Sequence, residues 1–320
     1  VRTRNCGIVF FFRVIVLFVS LTGFGQQEKS ADAPAASQAS APVPDLTPDA
    51  HGALSQQQME QLFRVVADKD LENDKRLRNY TYTEREVENQ RDGKGQTKST
   101  EVKTFEVMEI YGEPVERLVE KDGKPLDAKD AAKEEGKIQK VIDKRKNESE
   151  DDRRRREEKA DKDREDDREF VRDVANAYNF KLAGTEILGG REAWVIDAEP
   201  RPEFVAHAKG AKYLSKFHGR VWIDKTDLQL AKMDVECLDT ISWGLFLARF
   251  HKGSRFMLEQ TRVNDEVWLP QHLTAKVDAR IALFKGVNVD VEQTYRDYKK
   301  FRTSAKIVGI GEVVPQDAKP

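Results

Sequence analysis

The sequence predicts a mostly β, α+β chain in which antiparallel strands form a barrel or a large curved sheet, with helices over its apolar side. Three observations predict this. Apolar and polar residues alternate in several stretches. Ala231, Met233, Val235 and Cys237 alternate with Lys232, Asp234 and Glu236; Leu273, Ala275, Val277, Ala279, Ile281 and Leu283 alternate with polar neighbours; and three valines alternate across 287–291. A period of two sends one set of side chains to each face of a sheet, so these strands share one oily face and one charged face. About ten or eleven such segments follow one another with turn signals at short intervals. Finally, one helical stripe, Met59, Leu62, Phe63, Val66, Ala67 and Leu71 after Ser55, needs an apolar partner, and the oily strand face supplies it.

Composition narrows the functional classes. The 320 residues carry a net charge of −2 with 35% charged side chains. A chain without a basic excess is not built for general nucleic-acid binding. Hydrophobic content of 38% is low for this length, so some segments lie outside any core. The two cysteines, Cys6 and Cys237, form neither a disulfide framework nor a metal motif. Cys237 falls on an apolar strand face and reads as a small buried hydrophobe.

Along the chain, Arg2, Arg4 and Arg13 accompany an apolar run at 14–21, and Gly23-Phe24-Gly25 follows. This is the pattern of a secretory signal peptide over 1–25, cleaved after Gly25. The run is shorter than the ~20 apolar residues a spanning helix needs. Residues 26–52, rich in Ala, Ser, Pro and Gln, read as a disordered linker. A single domain is expected over 53–311, with a short tail at 312–320. Its first strands are Tyr80–Val87 and Thr97–Tyr111 around the turn Asp92-Gly93-Lys94-Gly95, then Pro114–Glu120 before Asp122-Gly123.

The segment 133–169 differs from the rest. It holds 14 positive and 15 negative side chains, including four successive arginines at 153–156. Asp151 with Arg155, Asp152 with Arg156 and Glu158 with Lys162 stand at the i, i+4 spacing of helical ion pairs. With no apolar stripe between Ile142 and Phe170, it reads as an insertion, either a solvated helix or disordered, or as an arm that touches a partner. Phe170, Val171, Val174 and Tyr178 return the chain to the body.

Two hairpins follow. Leu182–Pro200 turns at Gly189-Gly190, and Gly219–Glu236 turns at Asp224-Lys225-Thr226-Asp227. Together these two blocks resemble the outer-membrane lipoprotein-sorting proteins, periplasmic carriers of the Lol type, over roughly Ser55 to Gly311 without the charged insertion. The resemblance implies an unclosed barrel whose mouth is filled by helices, whose hollow holds acyl chains. Only hairpin positions match, so the resemblance carries over no functional residue.

The candidate cavity is read from the inward-facing set: Val221, Ile223, Met233, Val235, Val277, Ile281, Val287 and Val289. Ile241–Phe250 is apolar on both faces of a strand, with Ile241, Trp243, Leu245 and Leu247 on one and Phe246, Ala248 and Phe250 on the other. Trp243, Leu245 and Leu247 join the cavity set. Phe246 with Arg249, His251, Lys252 and Arg255 reads either as a rim that meets anionic headgroups or as part of a central strand with a helix behind it. No catalytic motif stands out. The five histidines lack metal-ligand spacing, and neither a nucleophile elbow nor a phosphate loop is present. The expectation is therefore a non-enzyme without metal or cofactor. It would be a monomeric, exported carrier that takes lipid or lipoprotein acyl chains toward the outer membrane, with envelope membrane proteins as a further partner class. The alternative is an envelope structural or interaction module of the same fold.

Overall fold

The computed structural model describes residues 45–77, 79–111, 113–243, 248–281, 285–300, 305–309 and 312–315. The predicted signal peptide and most of the linker lie outside these residues, as do Leu245, Phe246 and Leu247. The last linker residues are part of the fold. Leu46 is buried in the main core, and the Gln58 side-chain amide donates to the carbonyls of Asp45 and Thr47 at 3.0 and 2.8 Å.

Helix α1 spans Gln56–Leu77. It opens on a reciprocal cap: the Gln58 N–H donates to Ser55 Oγ at 3.2 Å and the Ser55 N–H donates to Gln58 Oε1 at 2.8 Å. This satisfies donors that the first helical turn leaves open. Ser55→Ala removes half of it and is expected to cost about 1 kcal/mol, read as a lower midpoint in urea unfolding.

Among the described residues the main sheet is antiparallel and has fourteen strands. They are β1 (Ala53–Leu54), β2 (Tyr80–Arg91), β3 (Thr97–Ile110), β4 (Glu113–Lys121), β5 (Lys124–Pro125), β6 (Tyr178–Leu188), β7 (Arg191–Pro200), β8 (Phe217–Asp224), β9 (Leu230–Cys237), β10 (Ile241–Trp243), β11 (Ala248–Phe250), β12 (Arg255–Val263), β13 (Val267–Ile281) and β14 (Lys285–Lys300). In space they run β1-β6-β7-β8-β9-β12-β13-β14-β2-β3-β4-β5, with β11 beside β13 and β10 beside β11. The end strands β1 and β5 do not pair with each other, so the sheet is an unclosed barrel. A small hairpin of β15 (Ala305–Gly309) and β16 (Glu312–Pro315) follows. Part of the excess over the sequence estimate comes from β1 and β5, which are two residues long and show no periodicity, and from Ile241–Phe250, which forms two strands and not one.

The glycine turn was placed correctly. Gly189 and Gly190 have φ of 56° and 81°, the left-handed pair that a two-residue hairpin needs and that glycine adopts without a steric cost. The stretch Ile241–Phe250 differs from its reading as one strand. The chain reverses between Trp243 and Ala248, and Ile241 pairs directly with Phe250. Both are buried in one core, so residues assigned to opposite faces lie on the same face. A run that is apolar at every position carries no period from which to detect a turn.

The charged segment is helical. Helix α2 spans Ala128–Lys146 and α3 spans Glu150–Ala177. Glu148 sits at the corner between them, held by Arg156 at 3.0 and 3.1 Å and by Arg145 at 2.8 Å. The ion pairs on α3 include Arg154 with Asp151 at 2.9 Å, an i, i+3 pair where i, i+4 partners were expected. The two helices take different sides of the sheet. Ile138 and Ile142 of α2 pack on Ile110 and Val115 of β3 and β4. By strand register, that face is opposite the one that carries Tyr82 and Val107. The last turns of α3 join α1 on the inner face.

The main core lies between that inner face and the helices. Met59, Leu62, Phe63 and Val66 of α1 meet Ile196, Ile223, Met233, Val235, Phe256, Leu258, Leu273, Val277 and Val289 of the sheet. The outer face carries cross-strand ion pairs such as Arg255 with Asp234 and Lys232 with Glu259 at 2.7 Å, as expected for a solvated face.

Candidate functional site

Three parts of the chain converge on an apolar groove. Phe63, Val66 and Ala67 come from the α1 stripe, and Phe170, Val171 and Val174 from the last turns of α3. The sheet contributes Tyr178 and Phe180 of β6, Ala198 of β7, Gly219 and Val221 of β8, and Leu230, Met233 and Val235 of β9. The cavity measures about 80 Å³, and about 960 Å³ of empty space is counted when the solvent-open part is included. The enclosed cavity of about 80 Å³ falls well short of the roughly 300–1,000 Å³ of ligand pockets. The hollow is therefore a groove under two helices and not a wide chamber. Most of the concavity is filled by α1 and the inward side chains.

The polar groups in the lining are few. Asp70 of α1, Asp167 and Arg168 of α3, and His218 of β8 complete it. Such a wall, apolar with a few polar groups, suits a ligand that is mostly hydrocarbon. At the base, the Tyr178 hydroxyl donates to the Leu214 carbonyl at 2.8 Å, and burial pushes its phenol pKa well above the ordinary value. That ring is a fixed wall at any physiological pH. Beside the groove, the buried Asp173 of α3 accepts from the N–H groups of His207 and Ala208 at 2.8 and 2.6 Å. It thereby ties the loop after β7 to the helix.

Gly219 keeps two strands close. It pairs with Val235 in register. A β-carbon built on it would lie 2.7 Å from the Asp234 carbonyl oxygen and 3.0 Å from a Val235 methyl. Gly219→Ala must push β9 away. Overpacking of this kind costs about 1–3 kcal/mol, and thermal unfolding will show it as a lowered midpoint.

The predicted cavity residues separate into groups. Val221, Met233 and Val235 line the groove. Ile223, Val277 and Val289 are buried in the packed core, and Val287 packs against that core. Leu245 and Leu247 lie outside the described residues, as do the side chains of Trp243 and Ile281. Among the predicted rim residues, Phe246 lies outside the described residues. Arg255 faces the outer side of the sheet, where its Nε donates to Asp234 at 2.7 Å. His251 pairs with Asp278 at 3.2 Å. Arg249 pairs in register with Arg280, and Lys252 is exposed in the turn before β12. None of the four lines the groove. Cys237 is buried on the inner face, and burial pushes its thiol pKa up.

The inner surface changes character along the sheet. By register with the buried valines of β14, Glu84, Glu86 and Glu88 of β2 and Glu101 and Lys103 of β3 face inward. Lys103 and Lys121 pair with Glu101 at 2.6 and 3.4 Å. The hydrogen bond from Lys103 holds the Glu101 carboxyl below its usual value. Beyond β14 the same face carries these charged groups together with the buried Tyr82 and Val107.

Among the described residues no cluster of metal-ligating side chains occurs, and no helix is long and apolar enough to cross a membrane. No protein-family model matches the chain, and no curated protein matches it. The chain is similar to several solved structures. One is a domain described as outer membrane lipoprotein-sorting from Vibrio parahaemolyticus, at 10% identity and a TM-score of 0.30 over 75% of this chain and 94% of that one. A LolA superfamily protein from Nitrosomonas europaea is similar at 8% and 0.29, over 75% and 93%. A DUF1329 family protein from Desulfovibrio piger is similar at 8% and 0.27, over 77% and 93%. Likenesses this loose assign no ligand and no residue role to this chain.

Proposed function

We propose that this protein is a periplasmic carrier that holds acyl chains of lipids or lipoproteins in the groove between α1, α3 and strands β6–β9. The observation that supports this reading is the lining itself, an almost wholly apolar wall with a charged edge, open to solvent on one side. Most of the lining is buried, and the partly buried Ala67, Phe170, Val174 and Val221 leave apolar surface that a hydrocarbon chain would cover without demanding hydrogen bonds. Delivery toward the outer membrane, export by the N-terminal segment, action without catalysis or cofactor and a monomeric state belong to the same reading. The filled concavity favours a second reading, an envelope interaction module that carries nothing.

One experiment separates the two. The protein is purified from cells without detergent and extracted with organic solvent, and the extract is analysed by mass spectrometry. The carrier reading expects an acyl lipid at near one per chain. An extract no richer in lipid than that of an unrelated exported protein would overturn it in favour of the interaction module.

A further inference from the structure

We infer that the loop between β7 and β8, residues 201–216, docks the protein on an anionic bilayer surface, with Val205 entering the headgroup layer and Lys209 and Lys212 reaching its phosphates. This goes beyond the carrier reading and does not depend on what the groove holds.

The loop is built to hold an apolar side chain out in solvent. Its start is tied by the Arg201 N–H, which donates to the Ala177 carbonyl at 2.8 Å. Its middle is tied by Asp173, which takes the N–H groups of His207 and Ala208. Phe204 and Ala206 pack against the main core, yet Val205 between them is 71% exposed. A single exposed valine is ordinary on a protein surface. What sets this one apart is the charge around it.

Residues 201–216 carry Arg201, Lys209, Lys212 and Lys216 against Glu203, a net of +3 in a chain whose total is −2. A short 3₁₀ helix spans Ala211–Lys216, and in such a helix side chains three apart eclipse. Ala208, Ala211 and Leu214 form the buried row, so Lys209 and Lys212 stand on the exposed row beside it. The acids on the loop and on the turn it contacts are already engaged. Glu203 pairs with Arg201 at 3.3 Å, and Asp239, in the turn after β9, pairs with Lys216 at 2.6 Å. The hydrogen bond from Lys216, the Thr240 N–H and the charge of Lys252 hold the Asp239 carboxyl below its ordinary value, which places Lys252 at the same end of the sheet. The Lys212 ammonium lies over the Tyr213 ring at 5.0 Å. Among the described residues no carboxylate pairs with Lys209 or Lys212.

An apolar tip beside lysines fits a bilayer interface. The valine reaches the acyl boundary while the ammonium groups stay at the level of the phosphates. A protein partner is a poorer match, because lysine is depleted from protein–protein interfaces. A nucleic acid is poorer still for a chain without a basic excess. His218 follows this loop and lines the groove, so docking brings that end of the groove to the lipid surface.

The test uses the full chain with vesicles of phosphatidylcholine, alone or mixed with phosphatidylglycerol, and reads binding by co-sedimentation. Binding is expected to be at least tenfold tighter to the anionic vesicles. It is expected to be lost at about 1 M salt, where the Debye length falls to about 3 Å. Each lysine at an anionic surface strengthens binding about fivefold, so Lys209→Gln with Lys212→Gln is expected to weaken it about twentyfold with the melting temperature kept. If the double variant melts early, Lys209→Gln alone is read in its place, with a loss of about fivefold. Insertion is read with an environment-sensitive dye on Val205→Cys or on Ile187→Cys, both in a Cys6→Ser background where Cys237 is buried. Ile187 is 60% exposed and lies at the far end of the β6–β7 hairpin, so it controls for lipid contact made elsewhere. A blue shift is expected at position 205 and none at 187. Equal binding to neutral vesicles, undiminished binding of a folded lysine variant, or a silent dye at 205 overturns the assignment. Absence of binding to either vesicle overturns it too and leaves the face to a protein partner.

Discussion

Leu62→Ala will remove a large part of the stability of this fold, about 2–5 kcal/mol by analogy with other fully buried leucines. Leu62 is 0% exposed and sits in the middle of the α1 stripe, where Met59, Phe63 and Val66 meet strands from both halves of the sheet. The loss has two parts, the transfer free energy of the deleted carbons and the cavity they leave. Relaxation is limited because α1 is fixed at both ends. The Ser55 and Gln58 cap holds its start. Near its end Asn73 accepts from the Trp268 N–H at 2.6 Å. Urea unfolding followed by circular dichroism measures the effect, and a loss under 1 kcal/mol would show that α1 does not organise the core.

Asp224→Ala is expected to be as damaging, by about 3–5 kcal/mol, the range for breaking a buried ion pair. Asp224 ends β8 with its carboxylate 1% exposed. It accepts Nε and a terminal amino group of Arg191, each at 2.7 Å, and the backbone N–H groups of Thr226 and Asp227 at 3.0 and 2.7 Å. Arg191 also reaches Asp227 at 3.1 Å, and Asp227 in turn accepts from Arg262 and from the Trp268 indole, both at 2.9 Å. One carboxylate thus fixes the turn and helps tie together the ends of β7, β8, β12 and β13. Removing it strands a guanidinium and two backbone donors.

The same group makes a pH prediction. Burial alone would raise the Asp224 pKa, but the Arg191 guanidinium and the N–H groups of Asp227 and Thr226 outweigh burial and hold it below the ordinary value. A carboxyl with a depressed folded pKa contributes stability above its unfolded value, near 3.9, and loses it as pH falls through the folded value. The native chain is expected to lose stability below about pH 4. Asp224→Asn is expected to be less stable at neutral pH and to fall less steeply on acidification. Parallel acid slopes for the two would contradict the pairing.

The fold was legible wherever one face of an element is wet. The alternation in Ala231–Cys237 and Leu273–Leu283 exists because their polar partners form solvated pairs such as Arg255 with Asp234, so the pattern records the core directly. The α1 stripe and the turn at Gly189 were legible for similar local reasons. Two elements were harder. Ile241–Phe250 is apolar throughout, so its reversal left no period to read. The sheet end of β2 and β3 reads like any solvated strand, and only its register with Val289 and Val291 shows that Glu86, Glu88 and Lys103 face inward.

The groove was half legible. Val221, Met233 and Val235 follow from strand alternation. Phe63, Val66, Ala67, Phe170 and Val174 were visible as helical stripes, but a stripe specifies only that something covers it. That both stripes would lean over the same four strands is a matter of tertiary placement. The Asp224 network was missed for the same reason. Its members are spread from residue 191 to residue 268, and locally only the turn could be seen.

A photoreactive palmitate analogue, cross-linked to the purified full chain and located by peptide mass spectrometry, addresses the central claim most directly. Label is expected on peptides that contain Val66–Ala67 of α1, Phe170–Val174 of α3 and Val221 of β8, and excess palmitate is expected to compete it away. Label confined to other peptides, or no more label than on heat-unfolded chain, would contradict a hydrocarbon-holding groove.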